Sequence, residues 1–152
     1  MAFLVRDLKR EDRPGWESLW GGYLDFYESK MEPVTIEVTW SRLLDPAEPM
    51  FALVAEDAET NNLIGLVHCV IHRGTWSIEN LCYLEDLFTA AAARKQGVGR
   101  ALIEAVYARA HELQCSRVYW LTHESNETAR KLYDQVARNA GFIQYRRDHP
   151  KP

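Results

Sequence analysis

Apolar and polar positions change their period several times along the chain, and each change marks an element. Phe3, Leu4 and Val5 make a short strand candidate, after which Asp12 and Pro14 give a helix-start signal. Trp16, Leu19, Trp20, Tyr23, Phe26 and Tyr27 then recur at helical spacing, which predicts a first helix over residues 13–29, weakened in the middle by Gly21 and Gly22. A second helix is expected from Thr35 to Leu44, ahead of Pro46. From Phe51 the pattern becomes that of strands: "FALVAE", a polar turn "DAETNN" and "LIGLVHCVIH" read as a hairpin, and "NLCYLEDLFT" supplies a further strand. Gly97 to Leu113 reads as a helix with one apolar stripe, and "RVYWLT" as the next strand. Ala129, Leu132, Tyr133, Val136, Ala137 and Ala140 mark a last helix stopped by Gly141, and "FIQYRR" is expected to close the chain as a strand.

The predicted order is β-α-α-β-β-β-α-β-α-β, a mixed α/β sheet with helices on its faces. The 152 residues suit one domain, residues 1–152, and show no repeat or linker. No apolar run approaches the ~20 residues of a membrane span, and the N-terminus lacks the pattern of a secretory signal, so a cytoplasmic protein without membrane contact is expected. A net charge of −4 gives no general attraction to nucleic acid and suits a cationic substrate. Three cysteines, Cys69, Cys82 and Cys115, are an odd number without close spacing, which points to reduced thiols rather than disulfides or zinc. No metal is expected, because the five histidines show no ligand spacing either.

Against this acidic background the stretch "ARKQGVGRAL", residues 93–102, stands out. The first amides of a helix have no intrahelical partner and carry the positive end of its dipole, so they form a ready anion site. Gly97 and Gly99 let the backbone approach a phosphate closely, and Arg94, Lys95 and Arg100 add charge at the same place. A triphosphate loop is excluded, since only Val98 separates the glycines and Arg100-Ala101 follows them. A dinucleotide fingerprint is excluded as well, because Leu102 stands where its third glycine belongs.

Arg94, Gly97 and Gly99, in the spacing Arg-x-x-Gly-x-Gly after a strand ending "LFT", resemble the acetyl-CoA pyrophosphate loop of the GCN5-related N-acetyltransferase (GNAT) superfamily. Downstream, "NETARKLY…GF" resembles the superfamily's second motif, Asn-x-x-Ala-x-x-Leu-Tyr…Gly-Phe. "YLEDLF", residues 83–88, is similar to a strand of spermidine/spermine and thialysine N-acetyltransferases and of the fungal histone and polyamine acetyltransferase group. The likeness is strong over residues 80–147 and rests on element order alone before them. It implies a GNAT fold and transfer of acetyl from acetyl-CoA to a primary amine within a ternary complex.

The resemblance also implies roles. Glu85 matches the carboxylate that acts as base, and a charge within "CYLEDLF" is costly to bury unless a partner or a function holds it there. Strand alternation is expected to send Asp86 to the opposite side, as a structural residue. Leu87, Phe88 and Thr89 would offer backbone groups to the pantetheine arm, with Thr89 in place of the more usual valine. Gln96 to Ala101, including Val98, would cradle the CoA pyrophosphate. Asn126, with Ala129 three residues on, would meet the cofactor arm, although "SNET" also suits a helix cap. Tyr133 matches the general acid for the departing thiolate, and it also lies on the apolar stripe of its helix. The spacing from Tyr133 to Gly141 is longer than in many relatives, by about one helical turn.

For the acceptor, Asp25 and Glu28 lie three apart on one predicted helical face beside Tyr27, and they read equally as a solvated acidic face. Tyr119, Trp120 and Leu121 match acceptor-lining positions of polyamine acetyltransferases, with Trp120 facing away from the other two. The expected substrate is a small cation: a polyamine, diamine or amino acid. A protein or peptide acetyltransferase acting on lysine or an N-terminus is the second reading, and a non-catalytic acyl-CoA-binding module the third. Relatives are commonly homodimers, which is the expectation here.

Overall fold

Two apolar strands joined by a polar turn, 50–57 and 63–72, with 81–89 paired beside them, set the frame of a five-stranded sheet whose strands lie in sequence order. The computed structural model describes residues 2–152. Its elements are β1 Phe3–Asp7, α1 Arg13–Phe26, α2 Pro33–Leu44, β2 Met50–Asp57, β3 Leu63–His72, β4 Leu81–Thr89, α3 Val98–Glu112, β5 Val118–Tyr119 and α4 Glu127–Val136. All neighbouring strands are antiparallel except β4 and β5, which run parallel. The chain divides into two compact units, one ending at Leu121 and one from Thr122 to Pro152.

In the first unit α1 and α2 cover one face of the sheet. Trp16, Leu19, Trp20, Trp40 and Leu43 pack with Ala52, Val54 and Leu66 in one buried cluster. Trp16 is fully buried, its ring centroid 6.2 Å from Trp20 and 5.0 Å from Trp40. Gly22 does not break α1. A Cβ there would lie 3.1 Å from the Phe88 ring, so the missing side chain is what lets β4 come close. The opposite face takes α3, whose buried stripe is Val98, Leu102, Ile103, Val106 and Ala110, with Leu113 beyond its end and half exposed.

Three predicted boundaries are corrected. α1 stops at Phe26 rather than residue 29, because Ser29 N–H bonds Leu24 O (2.8 Å) and Glu28 N–H bonds Asp25 O (3.0 Å) around a left-handed Glu28 with φ 53°. That pair of bonds is a Schellman ending. The strand "RVYWLT" shrinks to Val118–Tyr119, the residues of that run with a ladder partner on β4.

In the second unit α4 ends at Val136, not near Ala140, so the extra residues before Gly141 add no helical turn. Ala137 is already extended, and the Asn139 side chain accepts from the Gly141 amide at 2.9 Å, a local turn that competes with helix. Gly141 sits in this turn with φ 85°. The expected strand "FIQYRR" is absent, and Phe142, Ile143 and Tyr145 are almost wholly exposed. Its alternation is suitable, but a strand needs a ladder, and these residues have none.

Candidate active site

The β3–β4 ladder slips by one residue at its centre. His68 stands opposite Asp86 and Cys69 opposite Leu84, which leaves Glu85 as the extra residue of a β-bulge. The expected separation of Glu85 and Asp86 by alternation therefore fails here, since the bulge shifts the phase of the strand between Leu84 and Asp86. Glu85 is exposed to solvent, yet partial desolvation pushes its carboxyl above the ordinary value. The charge of Asp86 pushes it further. A carboxyl raised in this manner is a better proton acceptor than an ordinary surface glutamate.

Asp86 is tied into α1. Its Oδ2 lies 3.1 Å from His68 Nδ1, and the Tyr23 hydroxyl donates to the same carboxylate. Burial and that anion drive the Tyr23 phenol well above its usual range, so it stays a donor. His68 is buried, with Trp16 Nε1–H donating to its Nε2 at 3.0 Å. Trp20 also packs on the imidazole at 4.9 Å, stacking in turn on Tyr23. None of Trp16, Tyr23, His68 and Asp86 stood out in the sequence as a site residue. The available signal was a histidine inside the apolar run "GLVHCV", a position that tolerates a polar side chain only with partners.

A second polar pair lies on the same face of the sheet. The Tyr119 ring stacks on Tyr83 at 5.0 Å, and its hydroxyl is 2.7 Å from His72 Nε2. His72 Nδ1 lies 2.8 Å from Arg73 O, an acceptor, so the ring proton is on Nδ1 and Tyr119 donates to Nε2. Trp120 turns instead toward Tyr107 of α3, and Leu121 is half exposed. The aromatic group at the end of α1 is real, with Tyr27 4.9 Å from Tyr23. Asp25 and Glu28 do not share a helical face, however, because Glu28 lies past the helix end. Both are exposed.

β5 pairs with β4 only at Cys82 and Tyr83, so on that side β4 continues from Leu84 to Thr89 without a strand neighbour among the described residues. Leu87, Phe88 and Thr89 remain paired to β3 on their other side. An extended ligand arm carrying amides fits such an edge in the way a peptide adds to a sheet. Past Thr89 the chain turns through Ala91–Ala93, and Lys95 (φ 63°) and Gly97 (φ 84°) both adopt left-handed backbone before α3 begins. Gly97 is the N-cap and makes no side-chain cap bond, so Val98, Gly99 and Arg100 open the helix with backbone amides in its first turn and Ala101 makes the first helical bond. Arg94 donates from Nε to Thr89 O (3.3 Å) and lies over the rings of Phe26 and Phe88, while Gln96 reaches Ala92 O at 3.5 Å.

In the second unit Asn126 caps α4, its Oδ1 accepting from the Ala129 amide at 3.5 Å, and Tyr133 is half-buried within the helix. Among the described residues no cluster of His, Cys, Asp or Glu is arranged to hold a metal ion.

The chain is 37% identical over 145 residues to the D-amino-acid N-acetyltransferase HPA3 of Saccharomyces cerevisiae, covering 95% of this chain and 90% of that protein. It is 26% identical to the uncharacterized N-acetyltransferase YhfO of Bacillus subtilis, over 93% and 94% of the two chains. Among solved structures it superposes on AAC(6')-Iy, crystallised with a bisubstrate CoA analog, at TM-score 0.84 with 16% identity over 99% and 100% of the chains. The ribosomal-protein-alanine N-acetyltransferase of Brucella melitensis gives TM-score 0.81 with 22% identity over 97% and 100%. The model of the Acetyltransferase (GNAT) family matches residues 6–137. With this match and a mixed sheet left open beside a glycine-capped helix, the chain belongs to the GNAT family and is an acetyl-CoA-dependent N-acetyltransferase.

Proposed function

We propose that the protein acetylates the primary amine of a small cationic or zwitterionic molecule, an amino acid, diamine or polyamine, as one catalytic domain. The observation that carries this reading is the bulge that sets Glu85 next to Asp86 on an aromatic face. An ammonium group has no lone pair, so it must lose a proton before it can attack, and Glu85 with its raised carboxyl takes that proton, directly or through water. The Asp86 charge attracts the cation, and Tyr23 and Tyr27 offer apolar surface to an alkyl chain. Neither His68 nor His72 has a nitrogen to spare for the task, since each Nε2 already accepts a hydrogen bond.

Bound acetyl-CoA supplies the acetyl group already activated as a thioester. The open edge at Leu87, Phe88 and Thr89 suits its amide-bearing arm, and Gln96 to Ala101 with Arg94, Lys95 and Arg100 suits its pyrophosphate. Asn126 and Ala129 belong to the cofactor side of this reading. Tyr133 holds a proton at its phenol oxygen for the leaving group. Tyr119, Trp120 and Leu121 belong to the acceptor side, as do Asp25 and Glu28.

Similarity to a relative named a D-amino-acid N-acetyltransferase supports trying amino acids first among the acceptors. Exposed Phe26, 57% accessible and beside Tyr27, supports a homodimer as part of the same reading; a cytoplasmic location belongs to the proposal as well. The test is a CoA-release assay over D- and L-amino acids, polyamines, aminoglycosides and basic peptides. Turnover confined to small amines is the expected result, and turnover on peptides alone would overturn the reading.

A further inference from the structure

Indole N–H is a donor and never an acceptor, and that fixes the chemistry of the buried histidine. Because Trp16 Nε1–H donates to His68 Nε2 at 3.0 Å, that nitrogen carries its lone pair inward and the ring proton sits on Nδ1. Nδ1–H in turn points at Asp86 Oδ2, 3.1 Å away. Trp20 packs on the same imidazole, but its Nε1 has no hydrogen-bond partner among the described residues, so of the two tryptophans only Trp16 bonds the ring. Asp86 then receives two donors, His68 from β3 and Tyr23 from α1, on a carboxylate one position from the bulged Glu85.

We propose that Trp16 and His68 are positioning residues: Trp16 locks His68 in its neutral Nδ1–H form, and His68 holds Asp86 as a charged acceptor beside Glu85, so that the amine meets two carboxylates rather than one. The inference rests on the acetyltransferase reading of Glu85 above and adds what keeps its neighbour in place. Three observations carry it independently of any pH argument. The register slip brings Glu85 and Asp86 together, the geometry at His68 leaves one tautomer, and Trp16 is fully buried where a hydrocarbon ring would satisfy packing alone. The upward push on Glu85 from the charge of Asp86 agrees with it.

Two measurements on the protein decide the matter. Long-range 15N–1H correlation of the imidazoles in the wild type should show His68 at neutral pH with a protonated Nδ1 and a bare Nε2; an Nε2–H ring or an imidazolium would overturn the proposal. Separately, His68→Leu should lower kcat/KM for the amine by about 10- to 100-fold, the worth of a hydrogen bond to a charged group, with acetyl-CoA affinity unchanged. His68→Gln, which can accept from Trp16 and donate to Asp86, should recover most of the loss. Equal activity in wild type, His68→Leu and His68→Gln would reduce His68 to packing and overturn the inference. Trp16→Phe should follow His68→Leu in kcat/KM if it folds. Absence of turnover in the wild type would overturn the acetyltransferase reading, and the tautomer measurement would still decide for or against the lock.

Discussion

Gly65 and Val98 meet so closely that a Cβ added to Gly65 would lie 2.9 Å from Val98 Cγ1, and 3.1 Å from Leu102 Cδ1. The first turn of α3 thus presses on β3 at the one strand position without a side chain. Gly65→Ala should push that turn outward, costing about 1–3 kcal/mol of stability as an overpacked contact. Acetyl-CoA affinity should weaken with it, because the amides that open α3 move. Thermal unfolding and cofactor titration on the same variant check both halves.

Glu85→Gln removes the proposed base and should cut turnover by about 10²- to 10⁴-fold while acetyl-CoA still binds. The same change should stabilise the fold near neutral pH. A carboxyl whose folded pKa is raised contributes stability below its unfolded pKa, and that contribution is lost as pH rises through the folded value. Unfolding curves should show the variant ahead of wild type at pH 7 and level with it near pH 3.

Tyr133→Phe separates acid catalysis from packing. Lower turnover with unchanged cofactor affinity is expected, and a wild-type rate would return Tyr133 to the apolar stripe of α4.

Arg6 clasps Asp12 through two bonds of 2.8 and 2.9 Å and reaches Glu56, which pins β1 to the start of α1. Burial alone would raise the Asp12 carboxyl, but the Arg6 guanidinium and the Lys9 amide outweigh it and hold it below the ordinary value. Its stabilising contribution is present above the unfolded pKa and is lost as pH falls through the folded one. Arg6→Met should cost about 1–3 kcal/mol at pH 7. The variant should also lose less further stability than wild type on acidification below about pH 4. Urea titrations at the two pH values measure the difference.

What the sequence made legible was whatever local period or local chemistry dictates. The run 63–72 is a strand because it is predominantly apolar, and Gly97, read as a loop glycine at which the backbone can approach an anion, sits in left-handed backbone at the cap of α3. What it hid depends on partners distant in sequence. No local signal says that Cys69 pairs with Leu84 while His68 pairs with Asp86, so the bulge at Glu85 is invisible until the register is known. The end of α1 was hidden for a different reason: Glu28, not a glycine, takes the left-handed position. "FIQYRR" alternates as a strand should, yet alternation does not supply a neighbour to bond.

The brevity of β5 reaches beyond ligand binding. From Leu84 to Thr89 one side of β4 shows backbone groups that another chain could copy, and Leu87 and Phe88 make that stretch adhesive. Glu85 and Asp86 interrupt it with two adjacent negative charges, the kind of gatekeeper that keeps strand edges from pairing side by side. The carboxylates proposed to meet the amine would therefore also guard this edge. Replacing both by amides should produce a protein that aggregates in the absence of acetyl-CoA and clears when the cofactor covers the edge.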